Sequence, residues 1–363
     1  MNKKTPVIVA AAAAVMAAGV AACEQRGTLS LLIARASGGP AQRDRPIDPA
    51  TTRTVVDALI TALNAHYVFP DKARALAERL RERLPHYTAT TSAEALAEVL
   101  TADMRALLHD RHLRVEYSDR VVPPDVTEAA DDTLSPQDRA EMQRLNYGFE
   151  QVQRLPFNIG YLELTVLSPE ADDRLAAAMT LLGDTQALII DLRGCRGGAP
   201  HSVAAVASYL VERRTHLSDF VDRDGRVTEE VHTSEQVTGP RYGAQRPLYI
   251  LTSHDTFSAA EDFSYAMKNL KRATLVGEAT GGGAHPGELR RLGDHFAAFI
   301  PSSRSLSPIT QTNWEGVGVE PDLKVAADDA LNAAQSQILK ARLASEPDEA
   351  VKLRIAARIA DLD

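Results

Sequence analysis

Ser258 is the residue best placed for nucleophilic chemistry, because it lies where a strand gives way to a helix. Residues 248–253 are typical of a buried strand, and a helical pattern begins at Phe257. At such a turn the hydroxyl is exposed at the carboxyl edge of a sheet, and the following amide at the helix N-terminus can stabilise an oxyanion. Serine is also a common helix N-cap. Local sequence alone favours that alternative, with Thr256 or Ser258 as the cap.

A glycine-rich turn is the second feature. It follows an apolar run that ends at Asp191, and it contains Gly197 and Gly198. Paired glycines let the backbone approach a ligand closely and aim an N–H group at it. The segment lacks the Lys-Ser/Thr pair of a phosphate-binding loop and the spacing of a dinucleotide fingerprint, so neither ligand is predicted. A sharp turn without a ligand is the alternative.

Two ionisable groups lie far from Ser258 in the sequence. His109 and His112 could share a metal, but no third ligand cluster accompanies them, so no metal site is predicted. His112 is either a surface residue that closes a helix or a base that one domain supplies to a serine on another. Glu315 follows the only tryptophan, Trp314. It is either a partly desolvated orienting or acid group or a solvated turn residue.

The elements that would position these residues alternate between strand and helix. Short runs rich in Ile, Leu, Val and Tyr are separated by helical stretches, which predicts crossover units and a largely parallel, buried sheet. The predicted strands are 158–165, 187–193, 247–253, 273–278 and a closing strand at 322–325, with a hairpin at 288–300. The predicted helices are 169–183, 200–212 and 257–270, and an amphipathic C-terminal helix follows.

A helical period covers residues 52–112. Apolar side chains at helical spacing predict one helix that ends by Pro70 and a second that ends by Pro85. A capping box of Thr91 and Glu94 opens a third helix. The simplest interpretation is a small helical bundle.

The N-terminus predicts export. Lys3 and Lys4 precede an apolar, alanine-rich stretch that is too short for a membrane span and is typical of a signal peptide. That stretch ends directly before Cys23, as in a bacterial lipobox, so we expect lipidation of Cys23; ordinary signal cleavage is the alternative. The predicted location is the bacterial cell envelope, with the protein lipid-anchored and facing the periplasm or the exterior.

Composition excludes other classes. The formal net charge of -9 argues against a nucleic-acid partner. Cys195 is the only cysteine besides Cys23, so the mature body has no intrachain disulfide. The predicted organisation is a signal peptide (1–22), a tether (23–50), an N-terminal helical domain (51–118), a linker or rim segment (119–150), a catalytic α/β domain (151–327) and a C-terminal helix (328–363).

Together these segments resemble the tail-specific, C-terminal-processing serine peptidases. Within that family they resemble the branch that contains the tricorn protease core and the interphotoreceptor retinoid-binding protein repeats. The resemblance rests on the order and spacing of motifs, each of them loose alone. The matching stretches are Tyr67-Val68-Phe69-Pro70, Asp110-Arg111-His112-Leu113, Asn146-Tyr147-Gly148-Phe149, Asp191-Leu192-Arg193 with Gly197-Gly198, Thr256-Phe257-Ser258-Ala259-Ala260-Glu261 and 314–322.

The resemblance implies a fold and a chemistry. The fold would be α/β, with a crotonase- or Clp-like core and a mostly parallel sheet, preceded by a small N-terminal helical domain. The chemistry would be peptide-bond hydrolysis without a metal or cofactor. It assigns the nucleophile to Ser258 and the oxyanion donors to the amides of Ala259 and of Gly197 or Gly198, which reverses the preference for capping.

The resemblance also implies the partners of Ser258. The position where the Ser-Lys branch places its lysine is Gly283 here, so that dyad is absent. The tricorn-like branch uses a histidine and a distant glutamate, which fall on His112 and Glu315. Three departures stand out: Arg111 replaces a hydroxyl residue, Gly194-Cys195-Arg196 replaces Asn-Asn-Pro, and residues 113–154 are too few for a PDZ domain.

The predicted function is therefore a serine peptidase that acts on extracytoplasmic peptides or proteins, with a membrane partner only through the lipid anchor. One alternative is a binding protein that keeps the scaffold and holds an apolar ligand or peptide in the same cleft. Another is an envelope-scaffolding lipoprotein. No oligomeric state is predicted.

Overall fold

A computed structural model describes residues 43–122, 134 and 136–363. The predicted signal peptide, Cys23, most of the tether and part of the predicted linker lie outside these residues. Contacts divide the chain into two units. The first comprises the residues up to Leu108, Leu113–Glu141 and Gly287–Ile300. The second comprises His109–His112, Met142–Pro286 and Pro301–Asp363. Within the described part of the chain, no helix is long and apolar enough to cross a membrane.

The first unit is built on helices whose starts are set by proline and side-chain caps. The helices are α1 (Pro49–His66), α2 (Pro70–Glu82), α3 (Leu84–Tyr87) and α4 (Ala93–Leu108), and α5 (Pro136–Arg144) follows across the boundary of the two units. Asp48 Oδ1 accepts from the amides of Ala50 and Thr51 at the start of α1. The predicted bundle helices are present, with one buried core formed by their apolar faces.

The predicted capping box of α4 is wrong. The helix starts at Ala93, so the cap lies one residue later than Thr91. Ser92 Oγ accepts from the amide of Ala95 at 3.0 Å, and Asp44 Oδ1 accepts from the amide of Glu94 at 3.0 Å. Two different side chains therefore satisfy the first-turn amides.

A three-stranded antiparallel sheet completes the first unit. It has the order β1 (Arg114–Tyr117), β10 (Phe296–Pro301), β9 (Gly287–Gly293). The predicted hairpin at 288–300 is confirmed, but its contacts assign it to the first unit, whereas the segments that flank it in sequence belong to the second. Strand β1 was not predicted; it is short, and charged and apolar residues alternate along it.

The second unit holds the predicted α/β core, and the mostly parallel sheet is confirmed. Its six strands have the order β12-β8-β7-β4-β3-β2, parallel except for the edge pair β2 and β3. The strands are β2 (Phe149–Leu155), β3 (Ile159–Leu164), β4 (Ala187–Asp191), β7 (Leu248–Thr252), β8 (Thr274–Gly277) and β12 (Leu323–Lys324). The crossover helices are α6 (Asp172–Leu182), α7 (Pro200–Ser208) and α8 (Ala259–Asn269). Every residue of β4 is buried, as a central parallel strand requires.

A second, antiparallel sheet of this unit was not predicted. Its order is β11 (Ser303–Leu306), β5 (His216–Asp222), β6 (Val227–His232). Most of β6 is exposed, so its sequence lacks the apolar alternation by which a half-buried strand is detected.

The C-terminal segment 328–363 forms two helices and not the one predicted. They are α9 (Ala330–Leu343) and α10 (Glu349–Leu362). Pro347 lies between them, and proline disfavours helix both at its own position and at the residue before it. Asp348 then caps α10 by accepting from the amides of Ala350 and Val351.

Candidate active site

Ser258 lies at a strained turn between β7 and α8. Its backbone has φ 55° and ψ −121°, a conformation that non-glycine residues rarely adopt. The turn is tied to the glycine-rich segment, because the amide of Phe257 donates to the carbonyl of Cys195 at 3.0 Å and Thr256 Oγ1 donates to the carbonyl of Leu192 at 2.8 Å. These bonds hold the strained residue in place.

His112 lies against Ser258. Its Nε2 is 3.1 Å from Ser258 Oγ, within hydrogen-bond range. The ring is 5% exposed and its centroid is 4.6 Å from that of Phe257. The interpretation of His112 as a surface residue is therefore wrong. The segment His109–His112 also belongs to the second unit by its contacts, so histidine and serine lie in the same unit.

The glycine-rich turn passes beside Ser258. A Cβ on Gly197 would lie 2.8 Å from Ser258 Cβ and 3.1 Å from the Ala259 nitrogen. A Cβ on Gly198 would lie 2.0 Å from the carbonyl oxygen of Leu167. Both glycines have positive φ, so neither position accepts a side chain. Ala259 is the first residue of α8, and first-turn amides have no intrahelical acceptor.

Glu315 contacts backbone on both sides of the site. Its Oε1 accepts from the amide of Arg111 at 3.1 Å, and its Oε2 accepts from the amide of Ala284 at 2.5 Å. Burial raises the pKa of Glu315. The bond from residue 111 to Glu315 is made by the backbone amide, so it does not depend on the side chain at 111. It forms although Arg111 stands where the tricorn-like branch has a hydroxyl residue. The carboxylate therefore positions the segment that carries His112.

Asp110 and His285 complete this arrangement and were missed by sequence reasoning. Asp110 Oδ1 accepts from the amide of His112 at 3.1 Å, and its Oδ2 lies 2.8 Å from His285 Nδ1. His285 Nδ1 is also 3.4 Å from Glu315 Oε2. An Asp two residues before the amide it binds is a common turn signal, whereas nothing local indicates His285.

The cluster of Asp110, His285 and Glu315 also has the donor types of a metal site. Its ligand atoms lie within 4.8 Å of one another. Each carboxylate, however, already accepts from a main-chain amide, so the three side chains form a buried polar network that is satisfied by the protein itself.

Glu261 is a third residue for which the sequence predicted no role. It is fully buried and accepts four hydrogen bonds: from the amides of Ser258 (2.8 Å), Gly282 (2.6 Å) and Gly283 (2.9 Å), and from Thr280 Oγ1 (2.5 Å). Burial raises the pKa of Glu261 to about 7; the hydrogen bonds lower it, but by less than burial raises it. The residue links the Ser258 turn to the loop 280–283.

Gly283, where the Ser-Lys branch would have lysine, has no room for a side chain. A Cβ there would lie 2.3 and 2.4 Å from Phe257 ring atoms and 2.8 Å from His112 Cε1. The carbonyl of Gly283 also accepts from Trp314 Nε1 at 2.8 Å, which fixes the loop. A side chain at residue 283 would therefore have to displace the ring of Phe257 or of His112.

Two family models match this chain. Residues 158–325 match peptidase family S41, and residues 50–147 match the N-terminal domain of peptidase S41 in eukaryotic IRBP. The chain belongs to peptidase family S41.

Individual relatives match this chain at low identity and over only part of their length. The chloroplastic carboxyl-terminal-processing peptidase 3 of Arabidopsis thaliana is 29% identical over 167 residues, which are 46% of this chain and 31% of that protein. Alignments with curated relatives span only 31–40% of their lengths.

The likeness to solved structures concerns the fold. A lipoprotein from Streptococcus agalactiae superimposes with a TM-score of 0.53 at 16% identity, over 80% of this chain and 96% of that one. The tricorn protease gives a TM-score of 0.51 at 15% identity, over 86% of this chain and 37% of that one.

Gly283→Ala should disturb the site by overpacking. The added methyl group must displace Phe257 or His112, and we expect a loss of about 1–3 kcal/mol in the free energy of unfolding. Urea unfolding measures it. The control is Gly194→Ala, because a Cβ there meets no atom within 4 Å. Equal stability of the two variants would contradict the crowding seen at Gly283.

Asp262, next to Glu261 on α8, should make stability fall as pH rises. Burial raises the pKa of Asp262 from 3.8 to about 7, while the hydrogen bond from Ser218 lowers it. The folded state therefore binds the proton more tightly than the unfolded state. The stabilisation is complete below about pH 4 and is lost as pH rises toward 7.

We therefore expect Asp262→Asn to reduce the fall in melting temperature between pH 5 and pH 8. Thermal unfolding at several pH values tests this, with the exposed Asp224→Asn as the matched control. An unchanged slope in Asp262→Asn would show that this carboxyl does not carry the proton.

Proposed function

We propose that this protein is a serine peptidase that hydrolyses peptide bonds of extracytoplasmic peptides or proteins, with Ser258 as nucleophile and His112 as general base. The observation that carries the proposal is the 3.1 Å distance between Ser258 Oγ and His112 Nε2 at a strained strand-to-helix turn. Membership of a peptidase family supports it. Nucleophile and base within hydrogen-bond reach, with the base oriented by further groups, is the arrangement that covalent catalysis requires.

The proposed reaction has two halves. His112 Nε2 takes the proton of Ser258 Oγ as the oxygen attacks the scissile carbonyl, and then gives that proton to the departing amine. Water hydrolyses the resulting acyl-enzyme in the same way, with His112 again as base. The proposed oxyanion donors are the amide of Ala259 and that of Gly197 or Gly198. This sequence of steps requires no metal or cofactor.

The remaining polar groups are proposed to be positioning residues. Glu315 and Asp110 hold the amides of Arg111 and His112, and His285 links the two carboxylates. None of these bonds needs the substrate. They support a fixed position of the backbone that carries His112 before substrate binds, which lowers the entropic cost of reaching the reactive geometry.

Labelling by a fluorophosphonate probe tests the nucleophile and base together. We expect covalent labelling of Ser258 in the folded protein, none in Ser258→Ala, and labelling slower by about 10²–10⁴-fold in His112→Ala. Glu315→Gln should slow labelling by up to about 10²-fold, since it shifts the backbone that carries His112 without removing the base. Circular dichroism confirms that each variant is folded.

Two outcomes would contradict this proposal. Labelling that persists in Ser258→Ala would move the nucleophile elsewhere. A folded protein that neither reacts with the probe nor cleaves any member of a peptide library, but copurifies with an apolar ligand, would favour a binding protein on the same scaffold.

We also propose that Cys23 carries the lipid anchor that keeps this peptidase at the cell envelope. Two features of the sequence support this: the signal-like segment ends directly before Cys23, and Cys195 is the only other cysteine. In a bacterial host, Cys23→Ser should abolish incorporation of labelled fatty acid and move the protein from the membrane to the soluble fraction. Cys195→Ser is the control, because that thiol is fully buried. Lipid labelling retained in Cys23→Ser would rule out this anchor.

A further inference from the structure

The hairpin β5–β6 brings two histidines together on its surface. His216 and His232 are directly opposite in the antiparallel register, and their rings stack at 4.4 Å between centroids with 11° between planes. Both are partly buried.

Carboxylates surround this pair. Glu230 precedes His232 by two residues on β6, and alternation along a strand places both on the same face. Its cross-strand partner is Asp219, whose Oδ1 lies 2.7 Å from His216 Nε2. One ligand atom from each of His216, Glu230 and His232 lies within 4.8 Å of the other two.

We propose that His216, His232 and Glu230 form a surface site for a divalent transition metal of the zinc class. Two imidazole nitrogens and one carboxylate oxygen are a donor set that suits zinc, and the nitrogens disfavour calcium and magnesium, which prefer oxygen ligands. Because His216 Nε2 lies 2.7 Å from Asp219 Oδ1, we assign His216 Nδ1 as the ligand atom, as in the carboxylate–histidine–metal arrangements of known sites.

The site is separate from the proposed peptidase machinery. Its ligands all lie on β5 and β6, and none belongs to the residues placed around Ser258. A hydrogen bond links β5 to the helix that follows Ser258: Ser218 on β5 donates to Asp262 on α8 at 3.1 Å. The ligands come from strands that lack a sequence signature, which is why metal-ligand spacing did not reveal them.

Titration of untagged protein with Zn²⁺ tests the site. We expect one equivalent bound in isothermal titration calorimetry, visible d–d bands with Co²⁺, and a rise in melting temperature with free metal. His232→Gln and His216→Gln should each weaken Zn²⁺ binding by at least about tenfold. Glu229→Gln is the matched control, since it removes a neighbouring charge of the same strand and no ligand.

A fourth variant separates this site from the other cluster with metal-ligand types. His285→Gln removes the histidine of the Asp110–His285–Glu315 network and should leave Zn²⁺ binding at the hairpin unchanged. The proposal is overturned if Zn²⁺ binds equally to wild type and His232→Gln, if binding is lost only in His285→Gln, or if wild type binds none.

Discussion

The buried carboxylate of Glu261 is the contact on which the geometry of the site depends. It accepts the amide of Ser258 and, through the same side chain, the amides of Gly282 and Gly283. A strained serine persists only where surrounding bonds over-determine it, and this carboxylate supplies one of them. Placing a charge at a fully buried position costs free energy, which the four hydrogen bonds offset only in part, since the pKa of Glu261 is still raised to about 7.

The loop 280–285 connects the two halves of the site. Glu261 binds its amides at Gly282 and Gly283, while Glu315 binds its amide at Ala284 and His285 contacts Asp110. Residues 282 and 283 of this loop thus bind the carboxylate that holds Ser258, and residues 284 and 285 bind the carboxylates that hold the segment of His112. A displacement of the loop would move both reactive groups together. This explains how residues from distant parts of the sequence keep a 3.1 Å separation.

The sequence predicts the sheet and the Ser258 turn better than it predicts the polar network. Strands β4 and β7 are short, buried and apolar, so the length of each apolar run is enough to identify it as a strand. The hydrogen bond between His285 and Asp110 joins residues far apart in the chain, and no periodicity encodes such a contact. The break in the C-terminal helix at Pro347 could have been predicted from the sequence, because proline interrupts any helical pattern. The hairpin β5–β6 was not, since its exposed strand carries mostly polar residues.

The assignment of His112 as the proposed base follows from volume as much as from chemistry. The His112 ring occupies the space beside Ser258 that a side chain at residue 283 would need, and Phe257 closes the remainder. A side chain at 283 would therefore crowd the rings of His112 and Phe257, and the backbone amide of Gly283 donates to Glu261. A lysine placed at 283 would not simply add a second candidate base. It would displace the ring of His112 and strain the loop that both carboxylates hold, so the two arrangements are alternatives that a single substitution cannot exchange.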